Sequence, residues 1–155
     1  MNVRSAGLIT GFIGAAALGL AYYAEYVLHM VPCELCLLER WPYRITIVFG
    51  VLALLLGGSA GRFLVALAAV VMLANVGISG LHVGVQLHWW ASPFPECNGI
   101  LTLGAPLPMV PSVSCARGVY LLHWLPMTMS QMDFIGSICF TVLLSFMVLR
   151  AGRRI

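Results

Sequence analysis

The chain contains no lysine, and charge of either sign is scarce: eight arginines and five acidic residues make up 8% of 155 positions. Soluble domains carry roughly 25% charged residues, so the composition excludes an ordinary water-soluble domain. The formal net charge of +3 points to no polyanionic partner, because the arginines flank apolar runs instead of gathering in one patch. A nucleic-acid-binding face is therefore not expected. Internal repeats and low-complexity tracts are also missing. What fills the chain is apolar: 61% hydrophobic residues and a mean hydropathy of +1.00. It reads as an all-α integral membrane protein, a four-helix bundle whose length leaves no room for a separate soluble domain.

A membrane-crossing helix needs about 20 mostly apolar residues. The first candidate covers 6–28, behind Arg4. Its basic start resembles a signal peptide, but the apolar stretch is long for a cleaved one, so it reads as a retained helix. The second covers 43–56 and ends in Gly57-Gly58-Ser59. It gains length if the helix begins near Cys33. Pro42 opposes that, since it lacks a backbone donor and disfavours helix at Trp41, and a kink or a short separate turn carrying the cysteines is expected. The third helix is expected over 63–81 and the fourth over 134–149.

Two outer segments follow, 29–42 and a long one over 82–133, between helices 3 and 4. The long segment holds Pro93, Pro95, Pro106, Pro108, Pro111 and Pro126. Its aromatic stretches, Leu87 to Trp90 and Val119 to Trp124, suit a membrane–water interface. Arg4, Arg62, Arg150, Arg153 and Arg154 fall on one side of this layout, and Arg40, Arg44 and Arg117 on the other. Positive charge collects on the cytoplasmic side, so both termini are expected there. Cys33, Cys36, Cys97 and Cys115 then face outward, into a compartment where disulfides persist.

Those four cysteines carry the chemistry. The fifth, Cys139, reads as a small buried residue of helix 4. Three readings compete for the four: structural disulfides, a metal site and an electron relay. Zinc sites pair close Cys/His couples at compact spacing, whereas 60 residues separate Cys36 from Cys97 and 17 separate Cys97 from Cys115. No metal is expected. A structural Cys97–Cys115 bond is a real alternative, since closing such a loop stabilises by about 3 kcal/mol in the chain-entropy model. Cys33 and Cys36 fit that alternative badly. A ring so small gains little from closure, and strained close pairs are the ones that exchange.

If a helix begins near Cys33, the free donors of its first turn stabilise a thiolate. Arg40 follows Cys36 by four residues and shares its helix face, where a fixed positive charge would lower a thiol pKa and hold an anion on an acceptor. The plain reading of Arg40 is a snorkelling anchor. For His82 the plain reading is an interfacial hydrogen-bonding residue. Glu25 is an ionisable group near the outer end of helix 1, functional by default.

Pro32-Cys33-Glu34-Leu35-Cys36-Leu37-Leu38-Glu39-Arg40 resembles the Cys-x-x-Cys and Glu-Arg motif of the bacterial disulfide-bond-forming membrane protein B (DsbB) family. His82-x-x-x-Gln86-Leu87, Ser92-Pro93-Phe94 before Cys97, and Cys115 in the same outer segment add to the resemblance. It implies a quinone-coupled oxidase of the bacterial inner membrane that recharges a periplasmic thioredoxin-like oxidant of the DsbA type. By position, Cys97 and Cys115 would form the disulfide that meets the partner. Cys33 and Cys36 would reoxidise that pair and pass two electrons to ubiquinone or menaquinone in the membrane pool. Cys36 would be the sulfur nearest the quinone, in a charge-transfer contact or adduct, with Arg40, Glu39 and His82 lining the quinone site.

Two alternatives stand beside this reading. A vitamin K epoxide reductase-like protein also joins quinone to cysteine pairs, but its Cys-x-x-Cys follows the loop pair, whereas here it comes first. A non-catalytic membrane scaffold would merely be pinned by its disulfides.

Overall fold

The computed structural model of the protein describes residues 2–94, 114–120 and 126–152, which form four helices and no strand. They are α1 (Val3–Tyr26), α2 (Glu34–Leu56), α3 (Gly58–Gln86) and α4 (Met129–Gly152). α2 packs between α1 and α3, and α4 packs chiefly on α3. Val3–Tyr26, Gly58–Gln86 and Met129–Ala151 are each long and apolar enough to cross a membrane. α2 has the length but carries Glu34, Glu39, Arg40 and Arg44 in its first half.

Burial follows a membrane solvent. Phe12, Leu55, Phe63, Val70, Leu73, Val142 and Leu149 point outward, while Thr10, Thr46, Asn75, Ser79 and Ser137 are fully buried. In water that distribution would be a large exposed apolar surface; against lipid it is the ordinary one. Without a hydrophobic drive between helices, close packing of small residues becomes the adhesive. A Cβ on Gly50 would lie 2.5 Å from the Gly11 backbone nitrogen, and one on Gly7 would lie 2.6 Å from the Leu54 nitrogen. α1 and α2 therefore touch backbone to backbone. Val65, Ala68, Met72, Phe140 and Leu144 fill the adjoining core.

Helix bounds depart from the sequence expectation: α1 is shifted, covering 3–26 in place of 6–28, and the other three helices are longer. α2 is a single helix from Glu34, with Pro42 inside it; the longer extent, beginning near Cys33, is the one that forms, and the cysteines have no separate turn. The missing donor of Pro42 costs about 3 kcal/mol in an isolated helix. Here the residues around it are held from both neighbours, by Arg40–Glu25 to α1 and Glu39–His82 to α3. α3 runs five residues further at each end than expected, so His82 lies inside it. α4 starts at Met129 and takes in Asp133, so the connection between α3 and α4 covers 87–128 in place of 82–133.

A single residue, Gly57, joins α2 to α3. Its φ of +61° and that of +55° at Gly58 are left-handed, which glycine adopts without steric cost. Expectations for Cys97, for the prolines from 95 to 111, for the aromatic stretch at 121–124 and for Arg153 and Arg154 lie outside the described residues.

Candidate functional site

Cys33 is the residue on which α2 begins. Its extended backbone (φ −82°, ψ 168°) lets Sγ accept from the Cys36 N–H at 3.3 Å. A sulfur thus takes the place usually held by a serine or aspartate oxygen, at the positive end of the helix dipole. One turn on, Cys36 brings its Sγ within 2.6 Å of Cys33 Sγ. Both are free thiols.

Behind them stands a buried polar chain. His82, 1% exposed, reaches from α3 with Nε2 3.6 Å from Cys33 Sγ. Its other ring nitrogen, Nδ1, donates to Glu39 Oε1 at 2.9 Å. A carboxylate that holds one ring nitrogen sets the face the other presents, so Glu39 aims His82 at the sulfur. The Cys36 thiol, donating to Cys33, holds the Cys33 thiol down at about 5 from a usual 9.0, against the burial that pushes it up; His82 adds to the lowering. Cys33 is therefore the thiolate of the pair at neutral pH.

Arg40 is turned elsewhere. Its Nη1 donates to Glu25 Oε2 at 2.5 Å, and its guanidinium lies 5.0 Å from the Tyr22 ring centroid. The positive partner expected for the dithiol from i,i+4 spacing is thus engaged with α1, and a residue 49 positions away in sequence faces the sulfur instead. His82, whose plain reading was interfacial, is enclosed. Cys139 is exposed on α4, which corrects the expectation of a buried residue: among the described residues no helix covers its face of α4.

These groups open onto a cavity of about 300 Å³, within the range of small-molecule sites. Ala17, Leu18, Leu20 and Ala21 of α1 give it an apolar wall. Cys33, Cys36, Glu39, Arg40 and His82 give it a polar one. Tyr43 and Asp133 line it too, and neither was singled out from sequence. Tyr43 lies seven residues beyond Cys36, on the same helical face. Asp133 was masked by its position at the edge of an apolar run, where it read as loop.

Cys115 is 1% exposed, disulfide-bonded, and belongs to the same buried cluster as Cys33, Leu35 and Val85. The segment between α3 and α4 therefore places one of its cysteines in the cluster that holds Cys33. Cys97 lies outside the described residues. Cys33, Cys36 and His82 also place three donor atoms within 4.8 Å of one another, a set that a soft cation such as Zn²⁺ would accept. Sequence spacing could not show this grouping, because its third member comes from a different helix.

Comparisons with known proteins give the chain a family. A family model described as Disulfide bond formation protein DsbB matches residues 3–147. An uncharacterized protein of Rickettsia prowazekii (strain Madrid E) is 25% identical over 145 residues, 88% of this chain and 82% of that protein. A Disulfide bond formation protein B of Herminiimonas arsenicoxydans is 30% identical over 95 residues, 61% of this chain and 57% of that protein. A protein of the same description from Burkholderia thailandensis is 30% identical over 120 residues, 77% of this chain and 63% of that protein. The match thus spans less than two thirds of the length of these last two relatives. No solved structure matches the chain. With the family match running across all four helices and the dithiol site, the chain belongs to the DsbB family of disulfide bond formation proteins.

Proposed function

We propose that the protein is a dithiol:quinone oxidoreductase of the bacterial inner membrane. It reoxidises a periplasmic thioredoxin-like (DsbA-type) partner and uses ubiquinone or menaquinone as oxidising substrate. The observation that carries this reading is the free Cys33–Cys36 pair, backed by His82 and Glu39, opening onto a cavity whose other wall is apolar. A lipid-soluble acceptor with a flat ring and two polar edges fits those walls.

In this reading α2 also crosses the membrane, with both chain termini cytoplasmic. Ile45, Val48, Val51, Leu52 and Leu55 turn an apolar stripe outward, and its buried Glu39 and Arg40 face protein, as ionisable groups at membrane depth do. Cys97 and Cys115 form the disulfide that a partner thiolate attacks, and the dithiol left behind then reduces the Cys33–Cys36 disulfide. The presence of Cys115 in the same buried cluster as Cys33 supports the second exchange. Cys36, less buried than Cys33, faces the acceptor. Cys33, as the thiolate, closes the S–S bond onto Cys36 while two electrons leave. Arg40, Glu39 and His82 hold the acceptor's near edge.

The direct test is reduction of ubiquinone-1 by purified protein, with a reduced thioredoxin-like oxidase as electron donor. Cys36→Ser is expected to abolish it. Turnover by that variant at the wild-type rate would sink the proposal.

A further inference from the structure

Asp133 has no part in the relay as described. It is the fifth residue of α4. Tyr43 Oη donates to its Oδ1 at 2.7 Å, and Asn75 Nδ2 donates to its Oδ2 at 3.2 Å. Both partners are neutral, and among the described residues no ion pair includes it. A carboxyl group in such an apolar helix is costly, and ionisable groups there mark function by default. Asn75 adds a second observation: it is fully buried, and its Oδ1 has no hydrogen-bond partner. A half-turn of that amide exchanges donor for acceptor, so Asn75 can donate to an ionised Asp133 or accept from a protonated one.

Position gives the group its task. Cys36, Glu39, Arg40 and Tyr43 share one face of α2, with Tyr43 about 10 Å further along the axis than Cys36. A quinone carries two carbonyl oxygens on opposite edges of its ring. With one edge at Cys36 and His82, the other points toward Tyr43 and Asp133, which line the same cavity.

Proton bookkeeping requires a donor there. Closing the disulfide removes two electrons from the sulfur pair, and forming the quinol takes up two electrons and two protons. Both sulfurs lie together at the near edge of the cavity, so a proton for the far carbonyl oxygen has to come from a group on that other side.

We infer that Asp133, positioned by Tyr43 and Asn75, donates the second proton to the far carbonyl oxygen of the quinone. The inference rests on the quinone reading above. The S–S bond forms as the Cys36 S–H bond and the Asp133 O–H bond break. Asp133 lies one turn from the start of α4, and regains its proton from the outer aqueous phase that received the one Cys33 released.

Asp133→Asn keeps the shape of the side chain but carries no transferable proton. The expected result is a ubiquinone Kd within twofold of wild type, a kcat about 100-fold lower and a larger solvent isotope effect. The infrared difference spectrum between oxidised and reduced protein would also lose a carboxylic C=O band. Asp133→Glu should restore part of kcat. If Asp133→Asn does not fold, Tyr43→Phe is read instead, with an expected tenfold fall in kcat at unchanged Kd. Folded Asp133→Asn with wild-type kcat, or weakened quinone binding with kcat intact, overturns the inference and leaves the quinone reading standing. A wild-type protein that neither binds nor reduces ubiquinone overturns both.

Discussion

The two ends of the α1–α2 pair are built on opposite principles. At the end near Gly7, Gly11, Gly50 and Ala53, backbones touch and side chains are almost absent. At the other end the helices part around a cavity where Glu25, Arg40, Glu39 and His82 meet two sulfurs. The difference shows how a small membrane protein holds an open polar pocket. The glycine contact clamps one end at van der Waals distance, and ion pairs brace the other, so that the cavity between does not collapse.

Breaking the clamp should have the largest effect. Gly50→Leu places a side chain where even a Cβ would meet the Gly11 nitrogen and the Gly7 carbonyl oxygen. Folded protein is expected to disappear from detergent extracts, and Gly50→Ala should cost about 3 kcal/mol in reversible unfolding. Neither change touches a sulfur, so any folded fraction should keep its thiol titration.

The polar end can be probed through Cys33. Because its pKa is lowered from 9.0 to about 5, thiolate ultraviolet absorption in the reduced protein should persist through neutral pH and fade as pH drops through about 5. Linkage carries the same sign: the stability that ionised Cys33 contributes is full above about 9 and is lost as pH falls to about 5. His82→Ala removes one of the lowering influences and should move the absorption midpoint upward by about one unit. A midpoint unchanged in that variant would mean that the histidine does not act on the sulfur.

A smaller effect is expected at the brace. Arg40→Gln leaves Glu25 without its ion partner and opens the cavity wall. The KM for ubiquinone-1 should rise about tenfold, with kcat less affected, as expected when an interaction common to ground and transition states is lost. The smallest effect belongs to Cys139. As it is exposed on α4 away from both ends of the comparison, Cys139→Ala should alter unfolding by under about 0.5 kcal/mol and leave turnover unchanged.

Much of this protein was legible in one dimension because the signals are local. Apolar runs announce helices, Cys33-x-x-Cys36 announces redox chemistry, and Glu39-Arg40 at the next turn announces a polar face. Helix ends were less legible. His82 and Asp133 border apolar runs, and their charge suggested loop, whereas both lie inside helices whose neighbours supply them with partners. Pro42 left the start of α2 open for the same reason, since its local cost is real but contacts from α1 and α3 outweigh it. The glycines at 7, 11 and 50 drew no notice in the sequence, because a small residue marks a close contact only once the helix facing it is known.

Hydropathy and motif are properties of neighbouring residues, so the all-helical, membrane-spanning class, the places of the sulfurs along the chain and the family resemblance could be read in one dimension. Helix packing was needed to show that His82 faces Cys33, that Arg40 answers to Glu25, and that Tyr43, Asn75 and Asp133 form one group. Each of those pairings joins different helices, and the choice among partners is made by which faces the packed helices turn toward one another.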